Sequence, residues 1–102
     1  MSDAIEIVRF TAVEGREDEL PEAIARGLTV QGADPNCVEI KVYRSIERPN
    51  EVLATLNWTT VEAHNEWRAA HRDEWRAKVG WDIIEGGAPQ GLAHYTFVTQ
   101  VK

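Results

Sequence analysis

Residues 52–62 read Val-Leu-Ala-Thr-Leu-Asn-Trp-Thr-Thr-Val-Glu, and the period of the apolar side chains changes within them. As far as Trp58 they alternate, with Val52, Ala54, Leu56 and Trp58 on one face and Leu53, Thr55 and Asn57 on the other. That is the pattern of a half-buried strand. Thr59 and Glu62 then stand at capping-box spacing, which predicts a helix from here to about Val79, with Gly80 placed to end it.

The rest of the chain reads outward from this switch. Upstream, Cys37 to Ser45 alternates again, and Glu47-Arg48-Pro49-Asn50 forms a hairpin connection to the strand at Val52. Asp34-Pro35-Asn36 is a turn. Before it, Leu20, Ile24 and Leu28 recur at helical spacing behind an acidic start that contains Pro21, so a helix is expected up to Gly32. Ala4 to Val13 is a first alternating strand, with Glu6, Val8, Phe10 and Ala12 on one face. Downstream, Trp81 to Ile84 is a short apolar piece, Gly86 to Gly91 a loop, and Leu92 to Val101 a last strand. The order is βαββαβ, an α+β, ferredoxin-like protomer with an antiparallel sheet and two helices on one face. The opposite face, carrying Ile5, Ile7 and Leu53 beside Tyr43 and Asn57, is left open. Such a face predicts a homodimer in which a second sheet covers it.

Size and charge narrow the field. The chain has 102 residues, expected to form a single domain over 1–102, and a formal charge of −6 from 17 acids and 11 bases. No basic patch speaks for nucleic acid or an anionic membrane. One cysteine, Cys37, leaves no internal disulfide framework and fits a cytoplasmic protein. The acidic N-terminus is unlike a signal peptide, and no apolar run is long enough to span a membrane.

The second helix carries the chemical groups. On a helical wheel, His64, Trp67, His71 and Trp75 fall within roughly 80°. Ala63, Ala70 and Ala77 form a neighbouring strip that would let the helix approach the sheet, while Glu62, Glu66, Ala69, Asp73 and Arg76 fall on the far side. Four ring side chains with polar tips suit the wall of a pocket for a flat aromatic ligand better than the centre of a small core. His64 and His71 are two turns apart, too far to share a metal ion unaided, and no metal site is expected. Neither a nucleophile elbow nor a phosphate-binding glycine loop is present.

Pro35-Asn36-Cys37 leading to Tyr43-Arg44-Ser45, then Asn50-Glu51-Val52, then Trp58-Thr59-Thr60-Val61-Glu62-Ala63, resembles the antibiotic biosynthesis monooxygenase family. Gly15-Arg16-Glu17-Asp18-Glu19 matches the family's turn into its first helix, and the resemblance spans about residues 5–79. It implies a dimeric α/β barrel with the ligand between sheet and helices. It also implies a small aromatic substrate, a polyketide-like phenol or anthrone, oxidised to a quinone by O₂ without a cofactor. Under that reading His71 is the first choice of base and His64 the second, and Trp67 stacks on the substrate and offers its indole N–H. Val8, Phe10, Trp58 and Trp75 form apolar wall, and Trp81 with the 86–91 loop forms a lid. The family's haem-degrading branch is the alternative. Of its three marker positions, Trp67 matches, the strand-one asparagine falls on Val8, and the axial histidine falls on Arg76 or Ala77. A binding dimer without chemistry is the remaining reading.

Overall fold

The computed structural model describes residues 4–102. Strands β1 (Ala4–Thr11), β2 (Cys37–Arg44), β3 (Glu51–Trp58) and β4 (Gly91–Tyr95) form one sheet in the order β2-β3-β1-β4. Every pairing is antiparallel. Helices α1 (Leu20–Gly32) and α2 (Val61–Val79) complete the ferredoxin-like α+β protomer expected from the pattern.

The alternation in β1 and β3 sets which face is closed. Val8, Phe10, Ala12, Val52, Ala54, Leu56 and Trp58 are all buried beneath the helices with Leu20, Ile24 and Leu28 of α1. Each large apolar side chain removed from water in this way contributes about 1.5–3 kcal/mol. On the other face Ile5, Ile7 and Leu53 are half-buried, and Tyr43 and Tyr95 are exposed.

Several local expectations are corrected. The cap of α2 is Thr60, not Thr59: the Thr60 hydroxyl accepts the Ala63 N–H at 3.0 Å, and Thr59 instead bonds Asn36. Gly80 ends the helix in the left-handed region at φ 75°, a conformation open to glycine at little cost. The last strand stops at Tyr95, paired with Ile5, rather than at Val101. Phe97, Val98 and Val101, beyond its end, are exposed. Of the alanine strip only Ala63 packs against the core, while Ala70 and Ala77 face solvent; buried His64, Trp67 and Trp75 are the main anchors of α2. Val38 lies at a register shift between Cys37 and Glu39 and leaves the apolar face. Trp81–Ile83 is one 3₁₀ turn, and Ile84 makes an isolated bridge to Ala12.

Candidate active site

A pocket of about 180 Å³ lies between the sheet and both helices. Its floor is the closed face of β1, where Glu6, Val8 and Phe10 follow one another at strand spacing. Leu28 and Gln31 of α1 form one wall. His64, Trp67 and Trp75 of α2 form the other, and Pro89 and Leu92 close the end beside β4.

At its inner end three polar side chains are joined. Glu6 is 3% exposed, and its Oε1 accepts the indole N–H of Trp58 at 3.0 Å. The same oxygen lies 3.2 Å from Nε2 of His64, which is 1% exposed. Nδ1 of His64 is 2.7 Å from Nε2 of His94, the β4 residue paired with Glu6. His94 is only partly buried, so the chain Glu6–His64–His94 runs from the pocket floor toward solvent. Trp58 stacks on His64 with ring centroids 4.8 Å apart, which fixes the imidazole plane.

Burial sets the protonation of this chain. It pushes the Glu6 carboxyl up to about 7, against the smaller opposing effects of the Trp58 N–H and the Arg68 charge. Burial also pushes His64 down to about 4, helped by His94 and Arg68. Near pH 7 His64 is therefore neutral, and its contact with Glu6 is a hydrogen bond rather than an ion pair. With Glu6 ionised, His64 donates through Nε2–H and accepts from His94 at Nδ1. A proton arriving at His94 can then move Glu6 to its acid form by one shift along each hydrogen bond.

The site residues expected from sequence divide in two. Val8, Phe10, His64, Trp67 and Trp75 line the pocket together. Trp58 lies behind it, fully buried, and holds Glu6 and His64. His71 lies outside: its side chain is 45% exposed, leans on Trp67, and has Glu74 at 3.7 Å. Trp81 is also outside the lining, edge-on to Trp75 at 4.9 Å, with Pro89 the part of the following loop that reaches the pocket. Arg76, expected on the far side of α2, lines the pocket with Arg68 and Arg72.

Glu6 and His94 escaped the sequence reading. A carboxylate between Ala4 and Val8 on an otherwise apolar strand face was the available signal, since a buried acid needs partners. Three further polar atoms are buried without any, Gln31 Oε1, Trp75 Nε1 and Trp81 Nε1, the first two on pocket-lining residues. Unsatisfied groups in a pocket wall are where a polar ligand gains most. Among the described residues no group of three or more His, Cys, Asp or Glu is placed to hold a metal ion.

The sequence pattern of the antibiotic biosynthesis monooxygenase family matches residues 4–79. The chain belongs to this family. A crystal structure of a Bordetella bronchiseptica protein given the same family designation is 27% identical, with a TM-score of 0.81 over 97% of this chain and 100% of that one. A family member from Chloroflexus aurantiacus is 20% identical and superposes with a TM-score of 0.73, over 99% of this chain and 98% of that one. A point mutant of SnoaB, a cofactor-independent oxygenase from Streptomyces nogalater, is 20% identical with a TM-score of 0.65, over 100% of this chain and 97% of that one. At 20% identity these last two likenesses speak for the fold. No curated protein matches the chain. No described helix is long and apolar enough to cross a membrane.

Proposed function

We propose that this monooxygenase-family chain oxidises an aromatic phenol or anthrone to a quinone with O₂ and no cofactor, and that Glu6 is its base. The observation that carries the reading is a carboxyl of pKa about 7 on the floor of an aromatic-walled pocket. A base matched to neutral pH is what enolate formation needs. Glu6 takes the phenolic or enolic proton and becomes a neutral acid. The anion passes one electron to O₂, and the radical and superoxide combine into a peroxide on the ring carbon. Loss of water from that peroxide leaves the quinone: for an anthrone, ring CH₂ plus O₂ gives C=O plus H₂O. Glu6 returns its proton to the peroxide, whose O–O bond breaks to release the water, so the carboxylate is restored with no net proton gained or lost; the His64–His94 chain keeps Glu6 in proton exchange with solvent between turnovers. Trp67, Trp75 and Phe10 hold the ring flat and keep water away from the radical pair.

An oxygen electrode with an anthrone and a naphthol panel tests this. The expected result is one O₂ consumed and one quinone formed per substrate, undiminished by chelators. Bound ligand without O₂ uptake overturns it and favours a binding protein.

The working unit of this reading is a homodimer. Its support is the open sheet face, where Ile7, Leu53, Ala93 and Tyr95 line a shallow groove. Sedimentation at micromolar concentration should give twice 11.5 kDa; a monomer there contradicts the dimer.

A further inference from the structure

The pocket carries a charge opposite to that of the molecule around it. The chain has a net charge of −6, yet three arginines, Arg68, Arg72 and Arg76, line the pocket against a single acid, Glu6. They stand at i, i+4 and i+8 on α2, one above another along about 12 Å of helix. Among the described residues none of the three has a carboxylate within 4.0 Å. Arg76 is steadied instead by the Trp81 ring, with its guanidinium carbon 5.4 Å from the centroid. Glu62, Glu66, Asp73 and Glu74 share the helix and leave these guanidiniums unpaired, so the row is not an ordinary surface salt-bridge lattice. Unpaired cations along an aromatic wall hold an anion on a flat ligand.

We infer that the substrate is an aromatic acid: a phenolic or enolic ring seated on Trp67, Trp75 and Phe10, with a carboxylate gripped by Arg72 and its neighbours in the row. This deepens the proposed function and rests on it for the ring chemistry only. A carboxylate fits better than a phosphate or sulfate ester of the phenol, because an ester would mask the hydroxyl that Glu6 must deprotonate. A planar guanidinium also matches the carboxylate fork with two parallel hydrogen bonds. Arg68 lies one turn of α2 beyond His64 and lines the same pocket as Glu6, so of the three arginines it is next to the inner end. Arg72 and Arg76 lie farther along the helix, which puts the carboxylate and the reacting hydroxyl toward opposite ends of the ligand.

Anaerobic titration calorimetry at pH 7.5 separates this inference from the oxygen chemistry. The probes are hydroxybenzoic, 1-hydroxy-2-naphthoic and hydroxyanthracene carboxylic acids, each compared with its neutral carboxamide. At least one acid should bind roughly tenfold or more tightly than its amide, the lower end of what a hydrogen bond to a charged group contributes. Added salt should weaken the acid and leave the amide unchanged. Arg72→Gln should cut the preference, and the triple replacement of Arg68, Arg72 and Arg76 by Gln should abolish it while the amide still binds. Arg72 is exposed, so the single variant should melt with the parent. Equal binding of acid and amide, no binding by any acid, or a preference that survives the triple variant overturns the inference. Selective acid binding without O₂ uptake would leave it standing and remove the oxygenase reading. O₂ uptake indifferent to the carboxylate would do the reverse.

Discussion

The two ends of the pocket are built from opposite kinds of polar group. The inner end holds titratable side chains kept close to neutrality by burial, Glu6 raised to about 7 and His64 lowered to about 4. The outer end holds Arg72 and Arg76, exposed, permanently charged and unpaired. A carboxyl that exchanges protons near neutral pH must sit where its charge is costly, because burial is what raises its pKa that far. A group that grips an anion must keep its charge, and exposure lets it. One helix supplies both ends, with His64 in its first turn and Arg76 in its last.

The division can be broken at its inner end with the largest effect. Glu6→Gln keeps the acceptor for Trp58 and a neutral donor for His64, so the fold should survive. Turnover should fall by about 10²-fold or more, the usual worth of a general base. Activity within a factor of a few of the parent would remove Glu6 from the reaction. Next in size, Trp67→Ala should cost about 3–5 kcal/mol in chemical denaturation, since the ring is 5% exposed and packs against Trp58 and His64. Trp67→Phe should keep most of that stability.

A smaller effect sharpens the contrast through pH. From about pH 4.5 to about 7 the folded chain retains a proton at Glu6 that the unfolded chain has released, so rising pH removes stability. His64 acts oppositely: between about 6.5 and about 4 the unfolded chain takes up a proton that the folded chain refuses, so falling pH removes stability. The two offset each other below 6.5, and Glu6 alone acts from there to about 7. Melting curves of the parent should therefore decline across that upper window. Those of Glu6→Gln should be flat there and decline more steeply in acid. A flat parent profile would mean that Glu6 is not buried as an acid. The smallest change belongs to His71→Ala, which should alter stability and ligand binding by no more than about 0.5 kcal/mol, as for exposed side chains generally.

His64 and His71 also show where sequence stops being legible. Both fall on the same narrow strip of α2, and the wheel gives no reason to separate them. The structure buries one under β1 and β4 and leaves the other 45% exposed. The elements themselves were readable because alternation and helical period are local: β1, α1, β2, β3 and α2 appear with ends within a residue or two of expectation. The end of β4 was not, because the strand is set by pairing with β1, distant in sequence from Arg9–Gly91 to Ile5–Tyr95, and not by any local period. For the same reason His94 was invisible as a site residue. Only the β1–β4 register brings it beside Glu6, and only the packing of α2 sets His64 between them. Arg76 was misplaced because a wheel ranks angles and cannot show that Pro89 and Leu92 come round to close a pocket on that side.

The proposed oxidation requires Glu6 to accept a proton at neutral pH. The direct test is a ¹³C NMR titration of glutamate side-chain carboxyls, with the Glu6 resonance assigned by its disappearance in Glu6→Gln. That one carboxyl should titrate with a midpoint near 7. A midpoint near the ordinary 4.5 would contradict it.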